Sequence, residues 1–354
     1  MCRKLLAGLF IVVAIIFVVH FSYNNENVIR SIYVGNCVNI EKILMTLKEY
    51  DANAVVIDVK DDKSQLFPNL PIPTNEKNKI KTNNELNELF NTLKKKGIYT
   101  IARIVAFKEF IRDDLCMKDD DGSLLIDKEK SSWMNPHNEK AQQYLEEICE
   151  AAAKIGFDEI QLDYIRFSPY FKMEKEDRSR IDVINAFIKR VLDVVHRSGT
   201  KLSVCVFGCT IEGSVDTPGK EGQTEKSSIK LGQDFEEIAQ RCDFICPMIY
   251  PACYPKGTPR GIKDPDLEPY KVITTCMDMC TTMMKKYDSK INKGKDQKRR
   301  RAIVRPYLQA FTAKWLKKYM KYDKKAVKEQ IRALYDSGYH QWGLFNMAGK
   351  YPTE

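Results

Sequence analysis

The stretch LNELFNTLKKKGIYTIARIVAF, residues 86–107, decides the fold class of this chain. Its first half carries apolar residues at the three- and four-residue spacing of one helix face, namely Leu86, Leu89, Phe90 and Leu93. Gly97 then ends the helix, and residues 98–107 form an apolar run of the kind found in strands that are buried on both faces. A helix followed at once by such a strand is the repeating unit of a parallel α/β sheet.

The same pattern recurs along the chain. Short apolar runs rich in β-branched residues predict eight strands, at Ile29–Val34, Ala54–Val59, Tyr99–Phe107, Glu159–Ile165, Lys201–Phe207, Phe244–Tyr250, Ala302–Leu308 and Gln341–Asn346. Segments of helical period predict helices at Ile40–Tyr50, Asn84–Lys96, Asn138–Ile155, Ile181–Arg197 and Ala326–Tyr335. Eight strands between residues 28 and 354 predict an α/β fold of the (β/α)8 TIM-barrel type.

An open, doubly wound sheet is the alternative fold class. It would carry a glycine-rich phosphate-binding turn after the first strand, but residues 33–37 read Tyr-Val-Gly-Asn-Cys and hold a single glycine. The long insertions all follow strands, at Asp61–Thr82, Lys108–Pro136, Cys209–Leu231 and Pro251–Pro269. In a barrel these four segments overhang the face that carries active sites.

Composition narrows the class of protein. The chain has 354 residues, of which 44% are hydrophobic, with 17 Gly and 14 Pro. These values exclude a disordered, collagen-like or small disulfide-stabilised protein, because enough apolar residues are present to bury a large core. Eleven cysteines and four histidines occur without any CxxC pair, so the sequence indicates no zinc site, no other metal and no organic cofactor.

Residues 1–27 differ from the rest of the chain. Arg3 and Lys4 precede an uncharged run, Leu5–Phe21, whose 17 positions would span roughly 26 Å as a helix, slightly less than a ~30 Å hydrocarbon core. No small-x-small cleavage site follows, so we expect an uncleaved transmembrane anchor rather than a removed signal peptide. The preceding basic residues predict a cytoplasmic N-terminus at the cell membrane, with domain 28–354 outside the cytoplasm.

A basic connection, Lys285–Arg301, holds most of the chain's net charge of +9. It contains nine basic residues, two acidic residues and a single aromatic residue, Tyr287. Nucleic-acid sites interleave aromatic and basic side chains, so the sequence predicts no nucleic-acid partner. We expect either a solvated loop or a surface that attracts anionic lipid or wall polymer, on the barrel face opposite the active site.

Polar residues close several of the predicted strands, where buried positions are normally apolar. The fourth strand lies in FDEIQLDYIRF, residues 157–167, which puts Glu159, Gln161 and Asp163 on one face with Asp163 nearest the C-terminal end. A ring of such side chains suits a polyhydroxylated ligand. Three tryptophans are available as stacking surfaces, Trp133, Trp315 and Trp342.

A purely structural interpretation of the charged residues remains open. Asp58 and Lys60 share one side of the second strand, and Asp58 could be paired with Lys60 or with Arg103. Asp163 could be paired with Arg166 in the same way. Buried charges are generally paired, so such pairs would merely fix the mouth of the barrel.

Five segments resemble a known family, in the expected order along the chain. They are NAVVIDVKDD (53–62), GIYTIARIVAFK (97–108), FDEIQLDYIRFSP (157–169), CPMIYP (246–251) and VRPYLQAFT (304–312). Together they are similar to the putative glycoside hydrolase domain family of bacterial TIM-barrel proteins, and the likeness covers residues 28–354. The resemblance implies a glycosidase-type barrel with Asp163 as the catalytic carboxylate, similar to the fourth-strand nucleophile of the α-amylase-like enzymes.

We therefore expect a glycoside hydrolase that acts on a cell-surface or extracellular polysaccharide through two carboxylates. Asp163 is the predicted nucleophile or oxocarbenium stabiliser, and the proton donor is predicted to be Asp58 or, as second candidate, Glu212. The predicted substrate-binding residues are Lys60, Arg103, Tyr164, Arg166, Tyr250, Arg305, Gln309 and Asn346.

Two positions depart from the family pattern. Family members commonly have Asp where this chain has Cys205, and again where it has Ala310. If either of those carboxylates served as proton donor, its replacement here could not fulfil that role. The alternative hypothesis is therefore a catalytically inactive, membrane-anchored barrel that binds saccharide.

The anchor hypothesis predicts that removal of residues 1–27 leaves a folded, soluble domain, because the first predicted barrel strand begins only at Ile29. Size-exclusion chromatography and circular dichroism in the absence of detergent are the measurements. A shortened chain that aggregates, while the full chain folds in detergent, would show that residues 1–27 belong to the folded domain.

Overall fold

Eight parallel strands close into a barrel with the connecting helices outside it. The computed structural model describes residues 28–35, 37–72, 84–171, 178–214, 228–292 and 301–353. The strands are β1 (Arg30–Gly35), β2 (Ala54–Lys60), β3 (Tyr99–Val105), β4 (Glu159–Asp163), β5 (Lys201–Phe207), β6 (Phe244–Met248), β7 (in two parts, Ile303–Val304 and Tyr307–Gln309) and β8 (Trp342–Phe345). The predicted (β/α)8 architecture is confirmed.

Strand pairing runs around the whole ring. Strands β1 to β6 pair in chain order, β8 pairs with β1, and β7 lies between β8 and β6. The closing contact is the pairing of Tyr307 in β7 with Met248 in β6. Because every one of these pairs is parallel, the carboxyl ends of all strands lie on one face of the barrel, which is the face that carries active sites in this fold.

The helices cover the outside of the barrel and each precedes the next strand. They are α1 (Ile40–Tyr50), α2 (Glu85–Lys95), α3 (Glu139–Lys154), α4 (Ser179–His196), α5 (Phe235–Ile238), α6 (Pro269–Asn292) and α7 (Lys324–Asp336). The five predicted helices are confirmed to within two residues at each end, whereas α5 and α6 were not expected.

Local side chains set the ends of these helices. The side chain of Asn39 accepts a hydrogen bond from the Lys42 amide at the start of α1, and Asp323 caps α7 in the same way. Gly97 follows α2 with a φ of +68°, a left-handed conformation that costs glycine no side-chain clash. Capped helices with glycine ends give the short connections that return the chain to the sheet.

Strand β7 is broken in its middle, whereas a continuous strand Ala302–Leu308 was expected. Pro306 lies at the break, and proline has no N–H to donate to a neighbouring strand. Ile303–Val304 pairs with β6, and Tyr307–Gln309 pairs with β8. The break therefore divides the pairing of this strand between its two neighbours.

The interior of the barrel contains a buried ion pair near the amino ends of the strands. Glu159, the first residue of β4, is fully buried and binds both terminal nitrogens of Arg305, with Nη1 3.0 Å from Oε2. The same guanidinium lies 4.3 Å from the centre of the Phe244 ring. The pair neutralises the lower part of the interior.

One level higher, the interior polar groups are uncharged. Gln161 accepts a hydrogen bond from the Tyr307 hydroxyl at 2.7 Å and donates one to Ser203 at 3.2 Å. Asp163 follows at the top of the same strand, so the expectation that Glu159, Gln161 and Asp163 share one face is met.

The insertion after β3 folds back over the top of the barrel. Lys108–Glu109 and Ser132–Trp133 form a short antiparallel hairpin. Trp133 is buried, and its indole N–H donates to Asp127 Oδ2 at 2.8 Å. This loop therefore brings an aromatic wall to the carboxyl ends of the strands.

Two regions singled out in the sequence lie wholly or partly outside the described residues. The anchor prediction falls on residues 1–27, which are outside; within the described ranges, no helix is long and apolar enough to cross a membrane. Residues 285–292 of the basic connection are the last residues of α6, and Arg301 lies just before β7. Residues 293–300 are outside the described part, and Arg301 is bound to Asp288 at 2.8 Å. Anchoring and anion attraction remain predictions.

The buried pair predicts a stability effect. Arg305→Met leaves the Glu159 carboxylate buried without its cation, and we expect the free energy of unfolding to fall by about 3–5 kcal/mol. Adding Glu159→Leu removes the stranded charge and should recover most of that loss. Guanidinium unfolding of both variants is the measurement.

The matched control is the exposed pair of Lys189 and Asp193, whose atoms are 2.7 Å apart on the surface of α4. Lys189→Met should change stability little, because water solvates the remaining carboxylate. Equal small effects at Arg305 and Lys189 would contradict the strong coupling assigned to the buried pair.

Candidate active site

A central cavity of about 350 Å³ lies at the carboxyl ends of the strands. Polar and aromatic side chains form most of its wall, among them Tyr33, Asp62, Arg103, Glu129, Gln161, Asp163, Tyr164, Arg166, Cys205, Phe207, Tyr250, Tyr307 and Phe345. A concave site with a few convergent polar groups on aromatic walls is the usual form of a small-ligand or substrate site.

Arg103 binds three carboxylates with a single positive charge, and we call this group the Arg103 cluster. Its Nε and Nη2 lie 2.9 and 2.8 Å from Asp163 Oδ2. Nη1 lies 2.8 Å from Asp58 Oδ1, and Nη2 lies 3.2 Å from Asp62 Oδ1. The Tyr33 hydroxyl donates to the other oxygen of Asp58 at 2.6 Å. One cation for three carboxylates leaves a surplus of negative charge, so the cluster favours uptake of a proton.

The register of the strands brings this cluster together. Asp58 in β2 lies directly opposite Arg103 in β3, and Arg103 lies opposite Gln161 in β4. Asp163 is two residues further along β4, opposite Val105. The Arg103 side chain therefore spans one level of the barrel, from Asp58 beside it to Asp163 above it.

The carboxylates of the cluster differ in their affinity for a proton. Burial raises the pKa of Asp58, and this effect exceeds the opposing effects of Arg103 and of the Tyr33 hydroxyl. Burial also acts to raise the pKa of Asp62, but the positive charges of Arg103, Lys108 and Lys60 and the hydrogen bond from Arg103 together outweigh it. The pKa of Asp62 is therefore lower than usual, and 38% of its side chain is exposed. Asp58 therefore retains a proton to higher pH than Asp62.

Asp62 and Asp163 lie close together in the central cavity. Their nearest oxygens bind the same Nη2 atom of Arg103, at 3.2 and 2.8 Å, so these oxygens are at most about 6 Å apart. Retaining glycosidases separate their two carboxyl groups by about 5–5.5 Å and inverting enzymes by about 6.5–9.5 Å. This bound lies below the inverting range for Asp62 and Asp163, whereas Asp58 binds the other terminal nitrogen of Arg103, Nη1, and is not covered by it.

The backbone after β4 holds the Asp163 carboxylate in place. Tyr164 has a φ of +51°, in the left-handed region that residues with a Cβ adopt rarely. In this conformation its amide donates to Asp163 Oδ1 at 2.8 Å. Local strain of this kind is typical of functional sites, where the surrounding structure enforces it.

Arg166 lies against three aromatic rings at the edge of the central cavity. Its guanidinium carbon is 4.5 Å from the Trp133 ring centre, 4.6 Å from that of Phe207 and 5.2 Å from that of Tyr164. Burial lowers the pKa of the Arg166 guanidinium below its usual value, because desolvation penalises the charged form. An arginine side chain stays protonated in proteins even so, and Arg166 is a cation in a largely buried position.

Four of the eight predicted substrate-binding residues line the central cavity, namely Arg103, Tyr164, Arg166 and Tyr250. The other four do not, namely Lys60, Arg305, Gln309 and Asn346. The structural pair considered for Asp163 is also different from the expected one, because its partner is Arg103.

Lys60 is turned away from Asp58 by a β-bulge. The register between β2 and β3 shifts between Asp58 and Lys60, so the expected alternation of side chains fails there. The fully buried ammonium group lies 3.1 Å from Glu109 and donates to the Val105 carbonyl at 2.8 Å. Lys60 thus fastens the hairpin after β3 to the barrel, and the expectation that Asp58 and Lys60 act together on one face is wrong.

The remaining predicted residues have structural contacts. Gln309 donates to Asp266 at 3.1 Å, Asn346 donates to the Ala310 carbonyl at 2.7 Å, and Arg305 forms the ion pair inside the barrel. Glu212, the second predicted proton donor, lies in a 3-10 turn, Gly208–Ser214. It is not among the residues that line the central cavity, so the structure does not bring it together with Asp163.

A larger cleft of about 930 Å³ adjoins the central cavity. The two share Tyr33, Asp62 and Met347 as lining residues. Asp58 lines the cleft, whereas Asp163 lines the central cavity. The Arg103 cluster therefore lies at the junction of two compartments, with Asp58 lining the cleft, Asp163 lining the central cavity and Asp62 lining both.

Sequence reasoning missed Asp62 and Tyr33. Asp62 lies in the loop after β2, where the alternation of a pleated strand no longer predicts direction. The available signal was the adjacent acidic pair at 61–62, directly after a buried strand. Tyr33 carried no such signal, because a tyrosine in a strand usually packs as an aromatic core residue.

A family model described as "Putative glycosyl hydrolase domain" matches residues 29–351. The chain belongs to this family. The match begins just before β1 and ends after β8, so the putative glycosyl hydrolase domain and the observed barrel coincide. The resemblance drawn from the five sequence segments is thereby confirmed.

Solved glycosidase structures share the fold of this putative glycosyl hydrolase domain. The PgaB (BpsB) glycoside hydrolase domain from Bordetella bronchiseptica has a TM-score of 0.61 at 13% identity, with 91% of this chain and 95% of that chain covered. The β-amylase catalytic domain from Paenibacillus polymyxa has a TM-score of 0.52 at 12% identity, with 91% and 95% covered. The PelA glycoside hydrolase domain from Pseudomonas aeruginosa has a TM-score of 0.51 at 9% identity, with 92% and 96% covered. No curated protein sequence matches the chain.

Of the two positions at which the resemblance implies Asp, Cys205 is the one that reaches the site of this putative glycosyl hydrolase domain. It is buried and lines the central cavity. Burial, and after it the contact with Cys246, raise the pKa of the Cys205 thiol well above its usual value, so the group is neutral. Ala310 is buried and is not among the residues that line the cavity.

The donors present are not arranged as a metal centre. In the described ranges, no group of three or more His, Cys, Asp or Glu side chains is placed to hold a metal ion. In the cluster of Asp58, Asp62 and Asp163, the Arg103 guanidinium already lies between the carboxylates. The ten cysteines in the same ranges are free thiols.

The opposite pKa shifts of Asp58 and Asp62 predict opposite pH effects on stability. A raised pKa means that the folded state gains stability at low pH and loses it as the pH rises through the folded pKa. Asp58→Asn removes that loss, so the variant should become more stable relative to wild type as the pH rises from 4 to 8.

Asp62→Asn is the matched variant with the other sign. A lowered pKa stabilises the folded state at neutral pH and is lost on acidification, so this variant should be less stable than wild type at pH 7 and approach it at low pH. Thermal unfolding from pH 2 to 8 measures both differences, because the effect of Asp62 disappears below the usual aspartate pKa of about 3.9 and that of Asp58 above it. Parallel trends for the two variants would contradict the assigned proton affinities.

Proposed function

We propose that this chain is a retaining glycoside hydrolase that cleaves a cell-surface or extracellular polysaccharide. The observation that carries the proposal is the Arg103 cluster, which gathers Asp58, Asp62 and Asp163 at the active-site face of a glycosidase-type barrel. Residues 1–27 are proposed to anchor the domain in the cell membrane, with the barrel outside the cytoplasm.

Asp163 is the proposed nucleophile. One of its oxygens accepts from Arg103 and the other from the Tyr164 amide, and these donors fix the orientation of the carboxylate. Oδ2 already accepts from both Nε and Nη2 of Arg103, whereas Oδ1 accepts from the Tyr164 amide and keeps a further lone pair. The residue is 9% exposed and lines the cavity. An oxygen of Asp163 would attack the anomeric carbon while the bond from that carbon to the leaving oxygen breaks.

Asp58 is the proposed proton donor. Its raised pKa keeps it protonated to higher pH than an ordinary aspartate, and it faces the cleft that would hold the leaving part of the glycan. The proton passes to the leaving oxygen, and the ionised Asp58 then takes a proton from the water that hydrolyses the glycosyl-enzyme. Asp62, which stays ionised, stabilises the positive charge that develops on the sugar.

Aromatic side chains supply surfaces for sugar rings. Tyr250 lines the central cavity and stacks on Phe345, with ring centres 5.5 Å apart and an angle of 24°. Phe311 contacts Tyr250 and stacks on Trp315, which is 67% exposed. Of the three tryptophans, Trp315 is the one whose face remains available, because Trp133 and Trp342 are buried.

A saccharide-binding barrel without turnover is the second candidate function. Cys205 favours it, because a neutral thiol lines the cavity where other family members commonly have a carboxylate. In that case the Arg103 cluster would hold a glycan through hydrogen bonds without breaking it. The two candidates share a ligand class and differ in what Asp163 does.

The decisive variant is Asp163→Asn, which removes charge but hardly any volume. Fragments of bacterial cell-wall and exopolysaccharides should be screened for cleavage by mass spectrometry and for binding by calorimetry. We expect Asp163→Asn to lower turnover of a cleaved fragment about 10³-fold or more while its binding survives, because the carboxylate acts mainly in the transition state.

Asp158→Asn is the matched control. Asp158 precedes β4 at the opposite end of the barrel, where it binds Lys94 at 2.7 Å and Thr100 at 2.8 Å. Its loss should leave turnover unchanged. If Asp163→Asn turns over a fragment at close to the wild-type rate, Asp163 is not the nucleophile; if fragments bind but none is cleaved by wild type, the binding barrel is the function.

The proton donor has its own signature. Asp58→Asn should lose turnover of natural linkages but should still release the aryl group of aryl glycosides with good leaving groups in a first-turnover burst, because that step needs no protonation. Equal losses on both kinds of substrate would assign the proton donor elsewhere, with Asp62 as the next residue to test.

A further inference from the structure

Three arginines at or below the mouth of the barrel are almost completely buried, and they differ in their counterions. Arg103 binds three carboxylates, and Arg305 binds Glu159 through two nitrogens. Arg166 is 6% exposed, yet among the described residues no carboxylate oxygen lies within 4 Å of its guanidinium nitrogens. Buried cations are normally paired, so Arg166 needs an explanation.

The aromatic rings around Arg166 do not replace a counterion. Attraction to the faces of Trp133, Phe207 and Tyr164 compensates part of the charge, but ring faces accept none of the strong in-plane hydrogen bonds of a guanidinium. Within the described part, its side chain donates one hydrogen bond, from Nη1 to the Phe167 carbonyl at 3.2 Å. A guanidinium has five N–H donors, so capacity remains for a ligand.

The carboxylates nearest to Arg166 along the cavity wall are already engaged. Glu129 binds Lys108 at 2.9 Å, and Asp163 binds Arg103. Arg166 lines the same cavity as Asp163. A ligand that occupies the proposed nucleophile site therefore meets an uncompensated cation in the same cavity.

We propose that the saccharide bound here carries an anionic group, a carboxylate, sulfate or phosphate, that pairs with Arg166. This proposal rests on the glycosidase function proposed above and names the class of its substrate, an acidic glycan. The planar guanidinium fork matches the paired oxygens of such groups. The surrounding rings leave only 6% of Arg166 exposed, and this low exposure strengthens the attraction to an anion. A neutral sugar would cover the cation without supplying a counter-charge.

The test compares acidic glycans with neutral forms of the same backbone. Oligosaccharides of polygalacturonate, alginate and hyaluronate are used, each beside its carboxyl-reduced form, together with sulfated and phosphorylated derivatives of a neutral oligosaccharide. Binding is measured by calorimetry on the full chain carrying Asp163→Asn, so that no probe is consumed. We expect at least one acidic probe to bind about tenfold or more tightly than its neutral form.

Arg166→Met is the key variant, because a methionine fits against aromatic rings and removes the buried charge. It should abolish the preference for the acidic form while binding of the neutral form persists. Arg166→Gln serves the same purpose with a polar side chain if the Met variant does not fold. The carboxylate, sulfate and phosphate probes distinguish which anion the site prefers.

Arg180→Gln is the matched control. Arg180 is also buried and lies 4.9 Å from the centre of the Phe167 ring, but it is not among the residues that line the central cavity. Its loss should leave the preference intact in the folded protein. A preference that disappears equally in the Arg180 and Arg166 variants would overturn the assignment to Arg166.

The outcomes distinguish the acidic-glycan proposal from the glycosidase proposal on which it rests. If acidic and neutral forms bind equally, or if the preference survives Arg166→Met, the acidic-glycan proposal fails while the saccharide site stands. If wild type cleaves neutral glycans faster than acidic ones, it also fails. If no probe and no cell-wall or exopolysaccharide fragment binds, both proposals fail.

Discussion

The guanidinium of Arg103 is the interaction on which the site depends. It contacts carboxylates from β4, β2 and the loop after β2, so it determines where all three acids lie relative to one another. Each acid alone would repel the next, and one buried cation makes their close approach tolerable. Because one positive charge faces three carboxylates, the cluster stores excess negative charge, and the most buried member, Asp58, holds a proton to higher pH than usual. The proposed proton donor and the proposed nucleophile therefore share one cation.

In the described part of the barrel interior, the charges are balanced near the amino ends of the strands and unbalanced near the carboxyl ends. Near the amino ends of the strands, Glu159 and Arg305 form a one-to-one pair that leaves no net charge. Gln161 separates that pair from Asp163 by a level of uncharged hydrogen bonds. Along β4, the residues that face the interior are therefore Glu159, which is paired with Arg305, Gln161, which is uncharged, and Asp163, which shares Arg103 with two other carboxylates. The paired charges of Glu159 and Arg305 lie below the cavity, and the unbalanced charges of the Arg103 cluster lie at it.

Sequence patterns predicted those features that follow from the regular repeat of helices and strands. The eight strands, the helix ends at glycines such as Gly97 and the shared face of Asp163 with Gln161 follow from periodicity, and the structure bears them out. Lys60 was misplaced because a β-bulge interrupts the alternation. Gln309 was misplaced for another reason: its amide is consumed by neighbouring loops, whose path the sequence does not reveal. Asp62 was missed because loop residues have no period, although it binds the central arginine.

A neutral thiol at Cys205 affects the electrostatics of the cavity as well as the choice of proton donor. A carboxylate at that position would be a further negative group in the cavity that Asp163 lines and would compete for the single Arg103 charge. A neutral thiol adds no such repulsion to the three carboxylates that share Arg103. A cavity of this composition keeps one concentrated anionic cluster and one separate cation, which is the arrangement that orients an acidic sugar with its anomeric carbon toward Asp163 and its acid group away from it.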